Sequence, residues 1–162
     1  RPSWEGARLD AFTGAIALEY TRTRHPRLVY VAFNDTDDLS HSRRYDRLLD
    51  ALNATDGFLK ELWTTIQAEP AYRGRTTLIV TTDHGRGRRP EDWSDHGSSV
   101  AGAEDIWILL AGAGIAPTGE ATGGPPARQA QIAATVVGLL GLPEALLGKG
   151  ADPALPLPAG SR

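Results

Sequence analysis

Two short apolar runs separated by one long helical stretch constrain this chain more than any other feature. "RLVYVAFN" is dense in valine and aromatic residues, which predicts a strand over residues 28–33 buried on both faces. "TTLIVTTD" predicts a second strand over residues 76–82. Between them, "SRRYDRLLDALNATDGFLKELWTTIQ" repeats Tyr45, Leu48, Leu49, Leu52, Leu59, Leu62, Trp63 and Ile66 at helical period and stops before Pro70. Strand, long helix, strand is a crossover unit, and the usual right-handed crossover makes its two strands parallel. A further run, "DIWILLAG", predicts a third strand over residues 105–111. The expected fold class is therefore α/β, with three layers (α/β/α) and a mainly parallel central sheet.

Helices complete this layout at both ends. Over residues 5–23 Leu9, Phe12, Ile16 and Tyr20 recur at spacings of three or four, the apolar stripe of an amphipathic helix that His25-Pro26 terminates. Near the other end, "ARQAQIAATVVGLLG" is built of small and apolar residues, which predicts a buried helix. At 162 residues and 41% hydrophobic content, the chain has material for one ordinary core. One domain is expected over residues 1–150, followed by a Pro-rich irregular tail, residues 151–162.

Charge and composition exclude several partners. A formal net charge of -3 gives no general reason to bind nucleic acid or an anionic membrane. No apolar stretch approaches the roughly 18 residues that span a bilayer, and "RPSWEGARLD" has no signal-peptide core. With no cysteine, any metal must be held by histidine and carboxylate. The absence of methionine predicts a processed chain or a piece of a longer one.

In parallel sheets, sites form beyond the carboxyl ends of strands. The polar cluster "NDTDDLSH" follows the first predicted strand, with Asp37 and His41 placed to share a crevice. Alone, this cluster is also what helix capping by Ser40 or Ser42 looks like. Asp83 and His84 end the second strand, where Gly85 permits the chain to turn so that both side chains face one side. A loop of roughly twenty residues then carries "WSDHG", which repeats the Asp-His-Gly sequence at His96-Gly97. Three of the four histidines fall in these clusters. Asp37, His41, Asp83, His84 and His96 supply five ligands of the nitrogen and oxygen kind that zinc accepts, more than one tetrahedral site needs. This points to two metal ions, an arrangement suited to in-line displacement at phosphorus. The arginines of "GRGRR" read as a solvated loop, with Arg86 alone near enough to the motif to touch a substrate.

The order "NDTDDLSH", "LIVTTDHGRG", "WSDHG" and "QIAATVVGLLGLP" resembles the carboxyl-terminal part of the alkaline phosphatase superfamily, over residues 28–143. That superfamily includes phosphodiesterases, sulfatases and cofactor-independent phosphoglycerate mutases. The resemblance implies an alkaline phosphatase-like fold, incomplete here, in which Asp37, His41 and His96 hold one metal and Asp83 and His84 the other. It implies two divalent ions, zinc or manganese, and a small-molecule phosphate ester as substrate, with sulfate esters less favoured by a histidine-rich ligand set. The nucleophilic hydroxyl and a further metal-binding aspartate belong to the family's amino-terminal half, which has no match in residues 1–27. That missing half is the expected partner, and this chain alone is expected to be inactive. Two other readings stay open: a mutase-like phosphotransferase, and a non-catalytic interaction domain stabilised by metal. The resemblance leaves the compartment open.

Overall fold

The computed structural model describes residues 8–121 and 123–157. Residues 5–7 of the expected first helix and residues 158–162 of the expected tail lie outside the described residues. The chain forms two compact units: Arg1–Arg73 with His84–Asp105, and Gly74–Asp83 with Ile106–Arg162.

The first unit is helical. α1 (Asp10–Arg24), the short α2 (Asp35–His41) and α3 (Tyr45–Ala68) follow in order. α3 ends before Pro70 as its pattern predicts, because proline has no amide to continue the ladder. α1 packs on α3 through Gly14: a Cβ there would lie 3.0 Å from the Phe58 ring, which itself meets Phe33 edge-on with centroids 5.0 Å apart. The expected apolar stripe of α1 is not the buried face. Gly14 and Thr21 are buried, whereas Phe12, Ile16 and Tyr20 are 62%, 53% and 51% exposed.

The N-termini of α1 and α2 cap each other. The Asp10 carboxylate accepts the amides of Asn34 and Asp35 at 2.8 and 3.0 Å, and the Asp35 carboxylate accepts the amide of Asp10 at 3.4 Å. These bonds satisfy amides that a helix start leaves without intrahelical partners. Burial nevertheless raises the Asp10 pKa, assisted by the charges of Asp35 and Asp38 and opposed by the two amides. The exchange anchors the start of α2 to α1.

The second unit holds the sheet. β1 (Thr77–Thr81) pairs antiparallel with β2 (Ile108–Gly112), with Thr77 opposite Gly112 and Thr81 opposite Ile108. Two threonine hydroxyls lock that register by donating to the carbonyls of Ala113 and Trp107, each at 2.7 Å. α4 (Gln131–Leu139) buries Ala134 and Thr135, and a 3-10 turn follows at Glu144–Leu146. Residues 151–157 are irregular, as expected, yet they are docked: Leu155 is buried, and its amide donates to the Thr135 hydroxyl at 2.9 Å.

The expected mainly parallel sheet needs correction. Among the described residues the sheet has two strands, and they run antiparallel. Residues 28–33 follow no ladder, and Leu28 and Tyr30 are 58% and 88% exposed. An apolar run becomes a strand only where a neighbouring backbone takes its amides and carbonyls. The three-layer arrangement is likewise not formed by the described elements. Among the described residues the fold is mixed α/β, with four α-helices and the two-stranded sheet.

Candidate metal centre

Three segments of the first unit converge on one cluster. α2 contributes Asp37 and His41, which one helical turn places on the same face, with His41 Nε2 3.5 Å from Asp37 Oδ2. Both lie within the helix. Ser40 is not the alternative cap: its buried hydroxyl donates to the Thr36 carbonyl within the same helix. Ser42 is the C-cap position of α2, and α3 has no side-chain cap.

The other two segments belong to the long loop between the strands, which is held by internal hydrogen bonds. The Gly85 amide donates to the Ala103 carbonyl at 2.8 Å, and the Gly87 amide to the Asp95 carbonyl at 3.1 Å. Both Asp-His-Gly motifs need their glycine, for different reasons. At Gly85 a Cβ would run into the carbonyls of Gly102 and Asp105, so close packing excludes a side chain. At Gly97 the backbone has φ of 122°, a conformation open mainly to glycine, which turns the chain just after His96.

The result is a compact donor set. Asp37 Oδ1 lies 3.7 Å from His84 Nε2 and 3.6 Å from His96 Nε2. One ligand atom from each of Asp37, His84 and His96 falls within 4.8 Å of the others. Two donors on a tetrahedral zinc ion with bonds near 2 Å are about 3.3 Å apart, so the spacing of Asp37 from each histidine is near that range and the N, N, O chemistry suits a divalent cation. The stacked rings of His84 and His96 would have to turn to aim both Nε2 atoms at one ion. His84 Nδ1 sits 2.9 Å from the Gly85 carbonyl, which can only accept, so Nδ1 carries the hydrogen. In the neutral ring, Nε2 then presents its lone pair toward Asp37. The rings of His84 and His96 stack, and the Nε2 atoms of His41 and His96 are 3.0 Å apart. Burial lowers the His96 pKa, the nearby His84, His41 and Arg86 lower it further, and Asp37 opposes them. His96 is thereby held in the neutral form that binds metals.

Of the five expected ligands, the structure gathers Asp37, His84 and His96, with His41 at their side. Asp83 belongs to the other unit, is exposed, and its carbonyl accepts from the Gln129 amide group at 3.3 Å. Beside His84 and His96 opens a cavity of about 580 Å³, walled mainly by residues 97–101. Arg86 does not extend into solvent. Its guanidinium is bonded to Asp37 Oδ1 and donates to the Ser94 carbonyl at 3.0 Å. Sequence reasoning missed this pairing, and nothing in "GRGRR" separates Arg86 as an internal partner from its neighbours.

A motif-bearing loop and a helix thus assemble a histidine and aspartate cluster that could hold a metal ion. The chain matches the family model described as Metalloenzyme superfamily over residues 11–144 and belongs to that family, which is part of the alkaline phosphatase-like superfamily. The match extends the likeness seen over residues 28–143 back into α1. No curated protein and no solved structure matched the chain. The family generally includes metal-dependent phosphoryl-transfer enzymes and implies a small-molecule substrate. No described helix is long and apolar enough to cross a membrane.

Proposed function

We propose that this chain carries the metal-binding part of an enzyme that cleaves phosphate esters, with sulfate esters as a less favoured substrate. The observation that carries the reading is the convergence of Asp37 Oδ1 and the Nε2 atoms of His84 and His96 from three separate segments. A divalent cation held there, zinc or manganese, supplies Lewis-acid stabilisation of charge on phosphoryl oxygens. The chain's own residues prepare for it. The Gly85 carbonyl fixes the tautomer and direction of His84, as a second-layer partner does for a metal-binding imidazole. Burial keeps His96 neutral, and His41 stands at hydrogen-bonding distance from it as a further nitrogen donor. The adjoining cavity offers space for a small ester beside the cluster.

The attacking hydroxyl is proposed to come from a segment other than these residues, so the chain alone is expected to hydrolyse esters negligibly. Transfer of the phosphoryl group to water or to a second hydroxyl, as in a mutase, is separated by product identity. The test is the zinc and manganese content of the purified chain, with His96→Ala as control, alongside an assay with p-nitrophenyl phosphate. Bound metal that His96→Ala reduces is the expected result, and its stoichiometry distinguishes one ion from the two that the resemblance implies. Absence of metal from wild type after incubation with either cation would overturn the reading. A second reading, a metal-stabilised interaction domain, is favoured by the cluster's stapling of three segments. It is supported if metal raises the melting temperature and no partner segment ever confers turnover.

A further inference from the structure

We infer that Arg86 is an internal place-holder for the metal: its guanidinium occupies Asp37 Oδ1 and must yield that oxygen, at least in part, when a divalent cation binds. The inference rests on the metal reading above and concerns a residue outside the donor set. Asp37 Oδ1 is the carboxylate oxygen that faces both His84 Nε2 and His96 Nε2. It is also the oxygen bonded to Arg86 Nη2. The same guanidinium reaches the Asp37 carbonyl at 3.5 Å and the Ser94 carbonyl at 3.0 Å. Its side chain is 21% exposed and that of Asp37 26%, so solvent screens the pair only partly.

Two consequences follow from the charges. Without a cation, the three imidazole-bearing segments would surround a carboxylate lacking a counter-ion. Arg86 supplies one, and through Ser94 it ties the His96 loop to α2. With a divalent cation on the same oxygen, guanidinium and metal are like charges a few ångströms apart, and each weakens the other's hold. Arg86 thus stabilises the empty site and opposes its filling. The released guanidinium would then be a forked cationic donor beside the cavity, suited to a phosphoryl oxygen.

The experiment is zinc titration by calorimetry of chelator-stripped wild type, Arg86→Gln and Arg86→Lys, paired with thermal melts without and with saturating zinc. Competition between two cations for one carboxylate predicts about tenfold tighter zinc binding by Arg86→Gln, within the usual range of coupling between ligands. Arg86→Lys, which keeps the charge, stays near wild type. Stripped Arg86→Gln melts below wild type, and the gap closes in zinc, because only the metal-free state loses a partner. A stripped Arg86→Gln that is unfolded by circular dichroism but folds on adding zinc is the same result in extreme form. Weaker or unchanged zinc binding by Arg86→Gln, or a melting gap that persists in zinc, overturns the inference while leaving the metal site intact. A variant unfolded in both conditions also overturns it, since Arg86 would then be needed in the filled state. If neither wild type nor Arg86→Gln takes up zinc, the metal reading itself has failed.

Discussion

The imidazoles of His84 and His96 lie face to face, with centroids 3.8 Å apart and planes inclined by 15°. Burial lowers the His96 pKa from its ordinary 6.5, and the neighbouring His84 lowers it further. Because the unfolded chain then binds more protons than the folded one, stability rises with pH in this window. The metal-free chain is therefore expected to lose stability as pH falls from about 7 through the lowered His96 value. Denaturant midpoints across that range check the sign, and His96→Ala flattens the slope.

Metal binding follows the same proton. Zinc requires neutral imidazole, so its affinity falls as acid protonates the cluster. The lowered His96 pKa moves the onset of that loss to more acidic pH than a solvent-exposed histidine would show. Zinc titrations at several pH values measure the onset. A loss beginning above pH 7 contradicts the geometry.

Gly85→Ala tests the packing that delivers His84. The added methyl would meet the carbonyls of Gly102 and Asp105, and moving them breaks the bond from the Gly85 amide to Ala103. Overpacking of this kind costs about 1–3 kcal/mol. Zinc affinity is expected to fall along with stability, as read by urea unfolding and calorimetry.

Exposure of the α1 stripe is directly testable. Phe12→Gln and Ile16→Gln replace side chains that are more than half exposed. Stability of the chain should change by no more than about 0.5 kcal/mol, whereas a buried stripe would cost several times that. Solubility should rise, because a contiguous apolar surface favours association.

Leu155→Ala examines the docking of the tail. Leu155 is buried and bound through its amide to Thr135. Truncating a buried leucine costs about 2–5 kcal/mol, less where the site can collapse. A thermal melt unchanged by the substitution would show that residues 151–157 do not contribute to the second unit.

Much of the local structure was legible in the residues. Period and punctuation located α3 up to Pro70, the β1 and β2 segments to within a few residues, and a helix that proved shorter, Gln131–Leu139 instead of 127–141. Histidine and aspartate chemistry singled out Asp37, His41, Asp83, His84 and His96 as donors, of which Asp37, His84 and His96 lie in one group. These are properties of short windows, where side-chain type and spacing act directly. Tertiary structure decided the rest. Residues 28–33 have the composition of a strand and form none, since pairing depends on a second backbone and not on the run itself. The apolar stripe of α1 faces solvent, whereas the face carrying the small Gly14 packs closely on Phe58 of α3, a choice of partner that the helical period alone does not encode. Arg86 became the partner of Asp37, 49 residues away, because a guanidinium in an internal loop pairs with whichever carboxylate the fold brings within reach.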